Sequence, residues 1–254
     1  METKRVYDID AVEGMKNLAS ESVDLILCDL PYGATANGWD TPIDMDELWE
    51  QYRRIIKPHG AIVLFGSGAF TAELIMAGRS MYRYSLVWEK SNATGFLNAK
   101  LMPLRAHEDL AVFYKKPPTY NPQMSTGHKP VNRYTKTNDG TNYQKTRTIS
   151  GGGNTDRYPR SVLRFGSDKQ KSSIHPTQKP IALLRWIIRA YTNPGDVVLD
   201  NACGSGSTLV AADLEGRDWI GFDNGICKSK RKQLDGRKWA DIAAERVKKE
   251  GGTT

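Results

Sequence analysis

The feature that most narrows the folds open to this chain is an alternation of short, continuous apolar runs with stretches of helical periodicity. Seven runs read as strands, at 6–10, 23–29, 61–66, 82–90, 107–115, 197–201 and 219–223. Most are apolar at successive positions rather than at every second one, as in strands covered on both faces. Helical patterns fall at 11–18, 45–56, 70–77, 180–191 and 240–249, the second stopped by Lys57-Pro58-His59-Gly60. Such alternation predicts a doubly wound, Rossmann-like α/β sheet. No helical pattern separates 82–90 from 107–115, so these two runs are expected to pair as an antiparallel hairpin at the sheet edge.

One stretch breaks the alternation. Residues 116–174 are rich in Thr, Asn, Gly, Tyr and basic side chains, include Gly151-Gly152-Gly153, and hold no period. A loop this long inside a compact domain is normally functional or disordered, and here it reads as an insertion projecting from the sheet. Its charge is lopsided. Between 115 and 174 there are 12 Lys and Arg against Asp139, Asp156 and Asp168, so 12 − 3 = +9. The chain as a whole is +7, which leaves 7 − 9 = −2 for everything else. A basic segment on a near-neutral body is the footprint of a polyanion binder, although a mobile solvated loop would look the same by charge alone.

Other classes fall away. There is no apolar run of roughly eighteen residues, so no membrane span is expected. The start, METKRVYDID, does not read as a secretory signal. Cys28, Cys203 and Cys227 are far apart and odd in number, offering neither a disulfide framework nor a zinc site. They suit a reducing cytoplasm.

Two loops carry the chemistry. The run at 23–29 ends in Asp29-Leu30-Pro31-Tyr32, and the run at 197–201 ends in Asn201-Ala202-Cys203-Gly204-Ser205-Gly206-Ser207-Thr208. Ligands of open α/β sheets bind beyond the carboxyl ends of strands at a switch point, so both loops would face one cleft if their strands are neighbours. Gly204 and Gly206 allow a tight turn and close approach to a ligand. Leu209 stands at the third glycine position of the dinucleotide fingerprint, which argues against a nicotinamide dehydrogenase. Asp223, some twenty positions on, stands where a nucleoside's ribose would be held; the alternative for it is a helix N-cap. In the first loop Pro31 biases Leu30 toward an extended backbone, which fixes where its carbonyl points. With the Asp29 carboxylate, that carbonyl can accept both hydrogens of one amino group, and Tyr32 offers a face on which to stack a base.

These residues resemble the amino-methyltransferases of DNA, the adenine-N6 and cytosine-N4 enzymes, which carry an Asp/Asn/Ser-Pro-Pro-aromatic motif and a glycine-rich S-adenosylmethionine (AdoMet) loop. With the catalytic motif first, the order resembles the permuted group called beta. Ser22-Val23-Asp24-Leu25-Ile26 and His175-Pro176-Thr177-Gln178-Lys179-Pro180 add to the match. The resemblance implies a seven-stranded AdoMet-dependent methyltransferase sheet in circularly permuted order. On that reading residues 1–115 form the catalytic half, 116–174 an inserted target-recognition region, and 175–254 the AdoMet-binding half. Asp29, Leu30, Pro31 and Tyr32 would be catalytic. Asp29, His175, Lys179, Asp200, Asn201, Ala202, Cys203, Gly204, Ser205, Gly206, Ser207 and Thr208 would line the cofactor, with Asp10 reading its adenine and Asp223 its ribose. His175 has helix capping as its alternative role. Lys129, Arg133, Lys136, Lys145, Arg147, Arg157 and Arg160 are the candidate DNA contacts.

Leu30 departs from the family's first proline, a variation found in phage and prophage enzymes of the group. Its carbonyl survives the change, so activity is expected to persist in a less rigid loop. A second departure is the basic stretch 227–238, with six Lys and Arg against Asp235, read by default as a solvated excursion. The implied reaction is transfer of a methyl group to N6 of adenine in DNA, on a base flipped from the duplex and without a metal. Cytosine N4, an RNA substrate and a silent AdoMet-binding DNA module are the competing readings. A second copy of the chain and a cognate restriction endonuclease are the candidate partners besides DNA, in a bacterial or phage-infected cytoplasm.

Overall fold

The computed structural model describes residues 1–32, 43–137, 148–166, 178–228 and 231–252. They divide into two compact units, residues 1–121 with 161–254, and Pro122–Arg160.

The first unit is built on an eight-stranded sheet of order β1-β10-β9-β2-β3-β5-β4-β8. β1 (Arg5–Tyr7), β10 (Asp218–Phe222), β9 (Val197–Asp200), β2 (Val23–Cys28) and β3 (Ile56–Gly66) run parallel. β5 (Arg105–Phe113) lies antiparallel between β3 and β4 (Tyr82–Thr94). Side chains of the central strands alternate between two cores. Leu25, Leu27, Val63, Phe65 and Val198 face α4 (Ile181–Tyr191), α5 (Ser207–Leu214) and α6 (Trp239–Glu250). Val23, Ile26, Cys28, Ile62, Leu64 and Leu199 face α1 (Ala11–Lys16), α2 (Met45–Ile55) and α3 (Ala69–Ala77). Apolar side chains on both faces are what unbroken apolar strands require, so the double winding expected from the sequence is the observed one.

Local chemistry sets the element ends. Asp10 caps α1, its Oδ1 accepting from the Val12 and Glu13 amides at 2.9 and 3.2 Å, and β1 accordingly stops at Tyr7. Asp44 caps α2 in the same way. α2 gives way directly to β3, which starts at Ile56, five residues ahead of the apolar run at 61. Trp49 of α2 packs edge-on against Phe113 at 4.8 Å, and a Cβ on Gly78 would come within 2.3 Å of its ring, so that glycine is imposed by packing.

The sheet edge differs from expectation in two ways. β4 and β5 do form an antiparallel hairpin, but β4 is not the edge, because β8 (Val162–Phe165) adds a parallel strand outside it. The sheet therefore has eight strands rather than seven. Leu163 is buried, and the Trp88 indole donates to the Phe165 carbonyl at 3.0 Å. Four residues inside a long basic stretch give no readable period, and tertiary pairing decides their state.

The second unit holds a two-stranded antiparallel ribbon, β6 (Tyr134–Lys136) with β7 (Ile149–Gly151), and an antiparallel bridge between Ser125 and Arg157. No helix among the described residues is long and apolar enough to cross a membrane.

Candidate active site

β2 and β9 are hydrogen-bonded neighbours, with Leu25 opposite Val198 and Ile26 opposite Leu199. Both run the same way, so Asp29 and Asn201 leave the sheet side by side. β2 continues through α2 on one face and β9 through α5 on the other, which makes this the switch point where a crevice opens.

The first loop is held by side-chain charge. The Asp29 carboxylate accepts from the Tyr32 hydroxyl at 3.0 Å on one oxygen and from the Lys179 ammonium at 2.5 Å on the other. Lys179 also lies 3.1 Å from Glu108 on β5, and Glu108 is paired in turn with Lys90 of β4 at 2.6 Å. The result is an alternating row, Asp29, Lys179, Glu108, Lys90, with Lys179 buried and the others part-buried. Burial pushes the Asp29 carboxyl above its usual range, against the pull of Lys179. Burial also pushes Glu108 up, but the two lysines outweigh it and the carboxyl sits below its usual range. For Lys179, burial works against the charge, yet the two carboxylates hold it more firmly protonated than usual. Lys179 further lies over the Phe65 ring, 4.9 Å from its centroid.

Tyr32 stacks on Phe70 of α3, with ring centroids 4.4 Å apart and planes 25° from parallel. Leu30 is 2% exposed, with its side chain in the α1–α3 core. That burial anchors the loop where a proline ring would otherwise stiffen it.

The second loop is held by backbone. The Gly204 amide donates to Asp223 Oδ2 at 2.8 Å and the Gly225 amide to Oδ1 at 2.8 Å, so Asp223 ties the loop to the end of β10 and caps no helix. Asp200 accepts from the Ala202 amide at 3.2 Å. Its burial, opposed by hydrogen bonds from Thr208, Ala202 and Cys28, pushes its carboxyl up to about 6. Asn201 is buried and accepts from Tyr52 of α2 at 2.7 Å. Gly206 begins α5 at φ +76°, and a Cβ there would meet Ala243 of α6 at 2.9 Å. Only glycine satisfies both demands.

Sequence reasoning missed three contributors. Glu108 and Lys90 sit in strands that read as structural. Arg246 of α6 is buried, and its guanidinium donates to the Ser205 carbonyl and hydroxyl at 3.1 and 3.2 Å and to the Ser207 hydroxyl at 3.0 Å. The signal available in the sequence was the spacing of Arg246 from Trp239, Ile242 and Ala243, which puts it on the apolar side of its helix.

Of the other predicted residues, Asp10 is exposed and occupied as a cap. His175, Lys145 and Arg147 lie outside the described residues. Lys129, Arg133, Lys136 and Arg160 are exposed in the second unit. Arg157 is half-buried, its guanidinium donating to the carbonyls of Asn154, Asp156 and Lys129 at 2.9, 3.0 and 2.5 Å, which makes it a strut of its own loop. The 227–238 stretch closes on itself through an Ile226–Lys238 bridge and hydrogen bonds of Cys227 with Gly236 and Arg237. Lys238 pairs with Asp8 and Arg237 with Glu245, while Cys227, Trp239 and Ile242 form a small core beneath.

A parallel-centred sheet with a charged Asp29–Tyr32 loop and a glycine loop at its switch point is the frame of a Rossmann-like methyltransferase. Residues 23–227 match the family model for DNA methylases with N6 or N4 specificity, and the chain belongs to that family. It is 28% identical over 240 residues to the DNA adenine methyltransferase YhdJ of Escherichia coli K12, covering 87% of this chain and 79% of that one. It is 27% identical over 233 residues to the type II methyltransferase M.HpaI of Haemophilus parainfluenzae, covering 87% and 70%. Among solved structures, the M1.HpyAVI–SAM complex superposes with a TM-score of 0.61 at 24% identity, over 96% of this chain and 98% of that one. The cytosine-N4-specific PvuII DNA methyltransferase superposes with a TM-score of 0.60 at 15% identity, over 96% and 92%. These last two likenesses speak to the fold.

Proposed function

We propose that the chain transfers a methyl group from AdoMet to N6 of adenine in DNA, with the Asp29–Tyr32 loop as its catalytic element. Methylation of DNA with AdoMet as methyl donor comes with the family. Support for the particular assignment comes from the Asp29–Leu30–Pro31–Tyr32 loop leaving β2 directly beside the glycine loop of β9. Two carboxylates at that junction, part-buried Asp29 and buried Asp200, both held above their usual range, fit a ligand bearing positive charge. Asp223 and the loop from Asp200 to Thr208 would hold the cofactor, with Asp10 and His175 as further contacts. When bound, it supplies an electrophilic methyl group on sulfonium.

The adenine amine is a poor nucleophile because its lone pair is delocalised into the ring. Asp29 Oδ1 and the Leu30 carbonyl each accept one of its hydrogens, which favours a tetrahedral nitrogen with an available pair. The base stacks on Tyr32 and extends the Tyr32–Phe70 pair to three rings. As the nitrogen gains carbon it sheds a proton, and the Asp29 carboxylate, its proton affinity raised by burial, is placed to receive it. Lys179 keeps Asp29 ionised until then. Positioning of this kind can supply roughly 7–11 kcal/mol of the barrier.

Lys129, Arg133, Lys136, Lys145, Arg147 and Arg160, in the 116–174 recognition region, would meet phosphates and base edges, with Arg157 shaping the loop that presents them. Pairing of two copies, and work beside a restriction endonuclease in the cytoplasm, go with this reading. Mass analysis of nucleosides from DNA treated with the protein and AdoMet tests it. N6-methyldeoxyadenosine that disappears with Asp29→Ala is expected; N4-methyldeoxycytidine would move the assignment to cytosine, as the PvuII fold allows.

A further inference from the structure

β4 and β5 bring Lys90 and Glu108 to the active-site row and then continue outward, with Thr94 still paired to Arg105. Four residues past Lys90, at about 3.3 Å each, put that pair roughly 13 Å beyond the ion pair. Gly66, at the end of β3, lies opposite Asp109, so the hairpin opens at the same end of the sheet from which β2 delivers Asp29. Its connection, residues 95–104, contains a single 3-10 turn, Phe96–Asn98. Its large side chains stand in water: Phe96 is 81% exposed, Leu97 99%, Leu101 83% and Met102 58%. Soluble chains rarely leave such a cluster uncovered without a use for it.

Charge identifies the occupant. Residues 91–107 contain Lys100 and Arg105 and not one carboxylate, and neither cation has an ion pair among the described residues. An apolar tip with cationic shoulders complements a duplex, whose stacked bases are apolar and whose rim is anionic. Extracting a base leaves an unfavourable gap in the stack until something fills it.

We propose that the β4–β5 tip is a wedge for duplex DNA: Phe96, Leu97, Leu101 and Met102 press into the stack beside the extruded base while Lys100 and Arg105 hold the flanking phosphates. The proposal rests on the DNA methyltransferase reading above. It predicts that the tip matters for paired DNA and not for unpaired DNA.

The test uses Leu97→Ser/Leu101→Ser in the full chain, both positions being exposed and outside the cores. Methyl incorporation from labelled AdoMet is measured on unmethylated phage-sized DNA, native and heat-denatured. A tenfold or larger loss on native DNA, with denatured DNA held within about twofold, is the expected result. Permanganate reactivity of thymines in the same native DNA, under saturating protein with the product S-adenosylhomocysteine, is the second readout. It rises with the wild type and stays at background with the variant, whether or not denatured DNA is a substrate. Equal losses on both DNAs, equal thymine exposure, or conversion of a wild-type dimer to a monomer by light scattering would overturn the wedge, the last in favour of a second copy as occupant. Failure of the wild type to methylate either DNA would instead strike the functional reading.

Discussion

The two loops at the switch point are neighbours, yet they are held in opposite ways. The Asp29–Tyr32 loop depends on a part-buried row of side-chain charges drawn from Asp29 just past β2, from β4 and β5, and from Lys179 two residues before α4. The glycine loop depends on backbone amides caught by Asp223 and Asp200, with Arg246 of α6 behind it. A charge row can change its partners when a substrate arrives, because each member has several acceptors or donors. A glycine loop pinned through its amides is fixed before any ligand comes. One loop is built to respond and the other to be ready, and substitutions should separate the two.

The largest effect should come from Lys179→Met, which leaves Asp29 and Glu108 buried without their shared cation. Removal of one partner from a buried pair costs about 3–5 kcal/mol of stability. The sign with pH follows from the burial that already raises the Asp29 carboxyl and from the loss of a cation that helps to hold Glu108 down. Without Lys179 both carboxyls bind protons more tightly in the folded state, so the deficit is small at acid pH and grows as pH rises through their folded pKa values. Urea melts at pH 5 and pH 8 read this out; an equal deficit at both would contradict the charge row.

Next is Asp29→Ala, expected to lower methyl transfer by about 10²–10³-fold, the usual loss for one preorganised hydrogen-bonding group. Binding of AdoMet by calorimetry should stay within a few-fold. If binding and transfer fell together, the loops would not be separable.

Asp223→Ala should do the reverse. Freeing the Gly204 and Gly225 amides costs about 1–3 kcal/mol per buried group, seen as weaker AdoMet binding and a lower melting temperature. At saturating AdoMet the transfer rate should recover, an outcome that a catalytic role for Asp223 would not permit.

The smallest effect is a pH dependence. Asp200, pushed up to about 6, must be ionised to favour a cationic ligand. AdoMet affinity should be flat above that pH and weaken by up to tenfold per unit below it, with proton release detectable by calorimetry in buffers of different ionisation enthalpy. Asp200→Asn should abolish the release; a release that persisted would assign it to Asp29.

Legibility followed the range of the forces involved. Strand and helix positions in the first unit, Asp29 to Tyr32, and the glycine loop could be read because local patterns set them: apolar continuity, a proline after Leu30, glycines where φ is positive. β8 could not, since four residues acquire their strand only by lying against β4. Nor could Glu108 and Lys90, whose significance lies in a lysine some seventy positions away or more in sequence. Asp223 was legible as an acid at the end of the next strand, but its grip on the Gly204 amide exists only once β9 and β10 are paired.

By itself, then, the chain determined the double winding, the order of its two motifs and the chemistry each could offer, because these depend on neighbours in sequence. Tertiary structure alone decided which charges share Lys179, where the sheet ends, and that an apolar tip stands out at the end of the sheet where Asp29 lies. Those are contacts between distant segments, and their energies exist only after the strands have met.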